Sequence, residues 1–415
     1  MSDSSQRSSN RTDGGFKAAI PHPRARDVPR TVWALGFVSL FMDVSSELIH
    51  ALLPLFLVDT LGVGMAAVGL IEGVAEATAS ITKVFSGVLS DRIGKRKLLA
   101  AIGYGLGAAS KPVFPLAGTV GAVLAARFID RVGKGIRGAP RDAMVADVTA
   151  PELRGAAYGL RQALDSVGAF TGPLLAVVLM AAFADHIRAV LWWAVLPGTI
   201  SVLLIVFAVR EPASTERARR QIPLRRRDLA TLGRNYWLVV GIGVLFTMAR
   251  FSEAFLILKG QASGLSLTLV PLVMVCMNLV YAAAATPVGA WSDRIGRHGL
   301  LAAGMVVLAL ADAALAIGVG LPWLFAGAAL WGLHMALSQG LLSALVADAA
   351  APEVRGTAFG VFSLMTGVIL LVASVVAGAL WQAAGPATTF GAGAAFAVLA
   401  TLLLAGVMHR PAGGA

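Results

Sequence analysis

The sequence predicts an all-α membrane protein of twelve transmembrane helices in two parallel six-helix bundles. Three observations carry that expectation. Apolar residues make up 57% of the 415 and charged residues only 14%, against about 25% charged in a soluble domain; the mean hydropathy is +0.77. Long stretches lack charge: none is charged from Ala189 to Val209, only His334 is ionisable between Asp312 and Asp348, and only His409 between Arg355 and Arg410. Finally, two loop segments recur roughly half a chain apart. This composition excludes an ordinary soluble enzyme and a disordered chain.

About 20 apolar residues cross a bilayer core. With turn residues as boundaries, the spans fall at roughly 31–58, 66–90, 98–117, 119–143, 155–182, 189–209, 236–258, 266–290, 299–318, 321–346, 356–381 and 387–408. Residues 1–30 are polar and lack a signal-peptide core, so they read as a disordered cytoplasmic tail. The first bundle covers 31–209, a basic linker 210–235, the second bundle 236–408, and a short tail 409–415.

The net charge is +11, but the cations sit between apolar runs, where membrane orientation explains them without nucleic acid. The linker carries Arg217, Arg219, Arg220, Arg225, Arg226 and Arg227, which places it in the cytoplasm. The loops Asp91–Lys97, Asp147–Arg154, Asp293–His298 and Asp348–Arg355 fall on the same side, each with at least one arginine. The opposite loops hold little beyond Arg188 and Lys259. Both termini are then cytoplasmic, in a plasma (inner) membrane.

The repeat is explicit. GVLSDRIGKRKLL (87–99) returns as GAWSDRIGRHGLL (289–301), and ADVTAPELRGAAYG (146–159) as ADAAAPEVRGTAFG (347–360), at offsets of 202 and 201. Two matches at nearly one offset mark a duplicated unit. An even number of helices per unit keeps both copies in the same orientation, related by an axis along the membrane normal.

Gly87, Leu89, Asp91, Arg92, Gly94, Lys95, Arg96 and Lys97 carry a resemblance. They match the loop motif between the second and third helices of the major facilitator superfamily, and the copy at 289–297 is well preserved, with Trp291 at the Leu89 position and Arg297 at the Lys95 position. The chain is similar to that superfamily over nearly all of 31–408. DVSSE (43–47) and GLIEGVAEA (69–77) resemble a poorly characterised prokaryotic branch of it. The resemblance implies that the motif aspartate gates the cytoplasmic side, which singles out Asp91, Arg92, Asp293 and Arg294, with Asp147 and Asp348 completing the charge networks. Topology-fixing surface charge is the simpler alternative.

Gly159, Gly168 and Gly172-Pro173 in the fifth span make a close-packing face and a kink. Their spacing resembles the fifth-helix motif of exporters that exchange substrate for protons, although Ala176-Val177 stands where that motif has a glycine pair. At the repeat offset the second half has Ile369, Ala373 and Ser374, so the feature belongs to the first half alone. Arg131-x-x-Lys134-Gly135 resembles the fourth-helix motif whose arginine is tied to proton coupling, with Lys134 in place of its glutamine. A permanent ion pair of Arg131 with Asp43 or Asp165 is the alternative.

Ionisable groups inside spans are costly and face a cavity or a partner. The first half holds Asp43, Glu47, Glu72, Glu76, Lys83, Lys111, a cationic fourth span, and Arg161 with Asp165; the second offers Arg250, Glu253, Asn278, Asp312, His334 and Gln339. Proton and cavity candidates are therefore Asp43, Glu47, Glu76, Arg131, Lys134, Arg161 and Asp165. His334 suits packing or hydrogen bonding, and Asp312 needs a partner on the seventh or tenth span.

No phosphate-cradling loop appears, so an ATP-driven pump is excluded. Ser45, Ser46 and His50 form no convincing nucleophile–base set, and one cysteine, Cys276, with scattered histidines makes no metal site. No cofactor or metal is expected. The expected function is secondary transport: export of a small solute or drug-like compound in exchange for protons, with lipid around it, the monomer as working unit and no nucleic-acid partner. A proton-coupled importer or a facilitator of a small solute or ion is the alternative.

Overall fold

The computed structural model describes residues 28–210, 231–338, 340–351 and 354–408; most of both predicted tails and of the basic linker lie outside these. Among the described residues every regular element is helical. In the first half these are α1 (Arg30–Leu55, continued by a π-turn at Phe56–Thr60), α2 (Met65–Ile93), α3 (Arg96–Ser110), α4 (Val113–Leu116), α5 (Val120–Asp147), α6 (Arg154–Ala182), α7 (Ile187–Trp192) and α8 (Val195–Phe207). The second half has α9 (Arg234–Ala249), α10 (Ala254–Ala262), α11 (Leu272–Ile295), α12 (Arg297–Ile317), α13 (Leu321–Ser338), α14 (Leu341–Ala349), α15 (Arg355–Ala384) and α16 (Pro386–Met408). Nine helical stretches among the described residues are long and apolar enough to cross a membrane. Leu196, Phe207, Leu310 and Leu402 stand exposed on the outside, an apolar surface suited to lipid.

Local chemistry sets the boundaries. Gly94 ends α2 at φ 68°, and Gly296 has φ 80° at the same place in the repeat; only glycine adopts this region without strain. Thr119 caps α5, its hydroxyl accepting from the Ala122 N–H at 3.3 Å. Between α9 and α10 the helix breaks at Arg250–Glu253, and hydroxyls take over the freed donors. The Ser252 N–H donates to Ser374 Oγ and the Ala254 N–H to Ser252 Oγ, each at 3.2 Å. An interruption at membrane depth needs such replacements.

The two halves repeat their contacts. In the first, α1 packs on α6 and α8, α5 on α2 and α3, and α3 on α8; in the second, α9 packs on α15 and α16, α13 on α11 and α12, and α12 on α16. Small residues permit close approach without a hydrophobic drive between helices. Cβ atoms at Gly103 of α3 or Gly133 of α5 would each meet the other's carbonyl oxygen, at 2.7 and 2.6 Å. Ion pairs repeat as well: Arg96 with Asp147, and Arg297 with Asp348 at 2.8 Å. Lys97 Nζ donates to the Val206 carbonyl at 2.8 Å, which gathers these first-half loops at the end where the linker begins.

Across the halves, α2 packs on α15, α6 on α11, and α1 on α10. The α2–α15 seam is lined by Gly69, Gly73 and Gly378, each against the opposite backbone. Away from the linker, Gln261 Nε2 donates to both Asp59 carboxylate oxygens at 2.9 Å, and the Thr268 hydroxyl donates to Asp185 at 2.5 Å. Buried apolar side chains, among them Leu52, Leu53, Phe56, Phe255 and Ile257, fill this far end.

Candidate functional site

A cavity of about 690 Å³ lies between the halves, running from His50, Ser252 and Glu253 at its floor to Lys83, Arg141 and Arg161 toward the linker end. Its most charged wall is α5. Arg127, Arg131, Lys134 and Arg141 follow i, i+4, i+7 and i+14, a spacing that aligns them on one helical face.

Opposite charges from α1, α2 and α6 meet this stripe. Glu72, with its side chain fully buried, accepts from Arg127 Nη2 at 2.7 Å. Glu76 accepts from Arg131 Nη1 at 3.1 Å. Behind them Lys111 Nζ donates to Asp130 Oδ1 at 2.8 Å and to Ser46 Oγ at 2.9 Å. Arg161 Nη1 donates to Asp165 Oδ2 at 2.8 Å, with Arg141 Nη1 3.7 Å from the same oxygen. Arg141 also donates to Ser39 Oγ at 2.8 Å. Buried charges survive only when paired in this way.

Arg131 therefore pairs with Glu76 and, at 3.4 Å, with Asp130, rather than with Asp43 or Asp165, the partners of the alternative reading. The helix register decides this, because α5 packs on α2 along its length and brings Glu76 to the Arg131 turn. Asp43 is held loosely: its nearest cation is Arg137 at 3.9 Å, beyond hydrogen-bonding distance. Glu47 meets His50 Nδ1 at 3.3 Å. Lys134 is exposed in the cavity and has no ion pair among the described residues.

The fifth-span glycines pack on α1, within their own half. A Cβ at Gly168 would lie 2.8 Å from the Leu40 carbonyl oxygen and 2.9 Å from Asp43 Cβ; one at Gly172 would lie 2.8 Å from Glu47 Cβ. Gly159 meets nothing within 4 Å and does not share this contact. Pro173 lies inside α6, whose helix continues to Ala182. Gly168 and Gly172 thus let α6 lie against the turns that present Asp43 and Glu47.

The second-half wall is mostly uncharged, with Phe251, Trp331, Met335 and Leu370 beside Arg250 and Glu253. Asp312 is fully buried and accepts from Trp331 Nε1 at 2.9 Å, on the tenth span as one of the two expected partners. His334 is buried edge-on against Phe246 and Trp331, in a packing role. The side chains of the gating candidates Asp91, Arg92, Asp293 and Arg294 lie outside the described residues, as do Gln339 and Glu353.

Sequence reasoning left His50, Glu72, Asp130 and Arg141 out of the site. The usable signal was helical: Glu72 and Glu76 are one turn apart on α2, and Arg127 and Arg131 one turn apart on α5. Two such pairs on packed helices form a ladder.

The family model of the Major Facilitator Superfamily matches residues 35–259 and 242–414. The chain belongs to this superfamily. An uncharacterised MFS-type transporter of Methanocaldococcus jannaschii is 31% identical over 386 residues, 91% of this chain and 95% of that one. A multidrug resistance protein MdtH of Aeromonas hydrophila is 31% identical over 152 residues, covering 37% of this chain and 38% of its own. Among solved structures, the human organic anion transporter MFSD10 has a TM-score of 0.66 at 21% identity, covering 92% of this chain and all of its own. A peptide transporter, POT, has 0.77 at 14% identity, covering 94% and 96%. At these identities the structural likeness is one of fold. This superfamily member is a multi-pass membrane transporter of a small molecule, and not an enzyme.

Proposed function

We propose that this transporter exports a small solute or drug-like compound in exchange for protons, by alternating access of the central cavity. The observation that carries the reading is a cavity sealed at one end whose wall holds acids in reach of competing cations, Asp43 with Arg137 at 3.9 Å above all. A carboxylate with so loose a partner is free to exchange it for a proton or a substrate. The α1–α6 glycine contact ties Asp43 and Glu47 to the helix that also bears Asp165, so movement of α6 shifts all three.

The architecture behind this reading is two parallel six-helix bundles, 31–209 and 236–408, joined by the linker 210–235. Twelve apolar runs that coincide with helices or consecutive helix pairs, contacts repeated between halves, and the reciprocal α2–α15 and α11–α6 seams support it. The bundles sit in the plasma membrane with both termini cytoplasmic, anionic lipid meets the basic loops, and the monomer is the working unit. Asp91 and Asp293 gate the cytoplasmic side, helped by Arg92, Arg294, Asp147 and Asp348.

Proteoliposomes with an imposed pH gradient and a panel of cationic, anionic and zwitterionic solutes provide the test. The expected result is solute movement opposite to the proton gradient, uncoupled by Asp43→Asn or Asp165→Asn. Solute moving with the proton would replace export by import; gradient-independent flux surviving both substitutions would leave a facilitator.

A further inference from the structure

Ionisable groups of α1 and α2 lie at the cavity floor and just behind it, directly under the apolar seal. Side-chain exposure falls from 17% at Glu47 to 10% at His50 and 0% at Glu72. His50 stands between the two acids, Nδ1 3.3 Å from Glu47 Oε2 and Nε2 3.7 Å from Glu72 Oε2. Its buried Nε2 has no hydrogen-bond partner among the described residues, and neither has Glu72 Oε1. Beyond His50 toward the far end, every residue of α1 from Ala51 to Leu55 is buried. His50 is thus the last polar side chain of α1 before the seal.

It also sits one turn before a proline within the helix. Pro54 lies inside α1; it has no N–H to give the carbonyl four residues back, and its ring crowds that carbonyl. That carbonyl belongs to His50. Two residues after Pro54 the chain passes into the π-turn Phe56–Thr60, a second weak point in the same helix. The segment beyond His50 is therefore able to swing with less loss of helical bonding than an unbroken helix.

We infer that His50 admits the proton that this exchange delivers to the cavity acids, placed on α1 before Pro54 so that it meets the far side when the seal parts and the cavity when the seal closes. With the far end open, the neutral imidazole takes a proton from water at Nε2. With it closed, as here, the imidazolium gives a proton from Nδ1 to the Glu47 carboxylate, and Glu47 passes it to cavity water. One proton crosses, and rotation of the ring restores the starting tautomer. Glu72, held by Arg127, stabilises the charged intermediate and stays ionised. Imidazole suits the task because its charge changes near neutral pH. The charged groups acting on it are Glu47 on α1, Glu72 and Glu76 on α2, Arg127 on α5, and Glu253 from the α9–α10 break. Glu253 belongs to the second half, so the charge on His50 bears on both walls of the seal.

This inference rests on the proton-exchange reading, and its test separates the two. Spin labels on Thr60→Cys and Ala262→Cys, in a Cys276→Ser background, report the far-end gap in the full-length reconstituted protein. The two positions adjoin the Asp59–Gln261 bond. The separation is read between about pH 5.5 and about pH 8.5, either side of the ordinary imidazole range. The expected result is a pH-dependent exchange between a short and a long distance, lost in His50→Gln and displaced along the pH axis in Glu72→Gln. A His50→Gln protein that responds to pH as the parent does would overturn the assignment of His50 alone. No pH response in the parent would overturn proton exchange and this inference together. Should His50→Gln fail to insert, Glu72→Gln decides, and an undisplaced response sinks the proposal.

Discussion

The two walls of the cavity come from halves that repeat each other's loop motifs and helix contacts, yet they solve the membrane problem in opposite ways. On the first-half wall the acids of α1, α2 and α6 face the cationic stripe of α5, and buried charge is balanced by buried charge. On the second-half wall the corresponding space is filled mostly by aromatic and aliphatic side chains, and Asp312 has a single donor among the described residues, the Trp331 indole. The contacts between helices repeat, but the chemistry does not. Helix packing depends on small residues and shape, which duplication preserves, while charge placement depends on individual side chains free to diverge. We read the first wall as the part that handles protons and the second as the part that shapes the space for the solute.

The largest effect that would break this contrast comes from unpairing a first-half charge. Arg127→Met leaves Glu72 ionised and wholly buried without its partner, a loss of about 3–5 kcal/mol for a broken buried pair. Thermal unfolding in detergent, or the yield of folded protein, should show it. A variant as stable as the parent would mean that Glu72 is not held as a charge.

Next comes the glycine contact that presents Asp43 and Glu47. Gly172→Ala places a methyl 2.8 Å from Glu47 Cβ and 2.9 Å from the Leu48 backbone nitrogen, and overpacking of this kind costs about 1–3 kcal/mol. Gly159→Ala, with open space around it, should be neutral or stabilising by about 0.5–1 kcal/mol, since alanine is the better helix former. The pair of melting temperatures distinguishes a specific α1–α6 fit from a general need for glycine in α6.

On the second wall, Trp331→Phe removes the donor to Asp312 and keeps most of the ring. The expected loss is about 1–3 kcal/mol, the cost of an unsatisfied buried polar group. The coupling ratio in the proteoliposome assay should be unchanged. Loss of coupling here would erase the division of labour between the walls.

The smallest effect lies at the exposed far-end contact. Asp59→Asn should leave thermal stability unchanged within error, because a solvent-exposed contact contributes little. A clear stabilisation or destabilisation would show that this contact, rather than the apolar seal beneath it, holds the far end shut.

The sequence by itself determined the membrane class, the helical runs, the duplication and the uneven distribution of charge between halves. Hydropathy and repeat spacing are properties of the chain taken locally, and a bilayer leaves helices as the way to satisfy the backbone of such apolar runs. It also announced the tight turns, since Gly94 and Gly296 occupy equivalent positions and both have positive φ. What only the tertiary structure decided was partnership. Arg131 could have met any of several acids, and it met Glu76 and Asp130 because α5 lies along α2 in one particular register. Gly168 and Gly172 announced close packing, but that α1 is the helix they admit is a matter of topology. His50 looked like an incomplete catalytic set and proved to stand between two glutamates, one of them from a different helix. Pairing between helices depends on rotation and offset, and a one-residue change turns a helix by about 100° and sends a side chain from cavity to lipid; local sequence carries too little information to fix that angle.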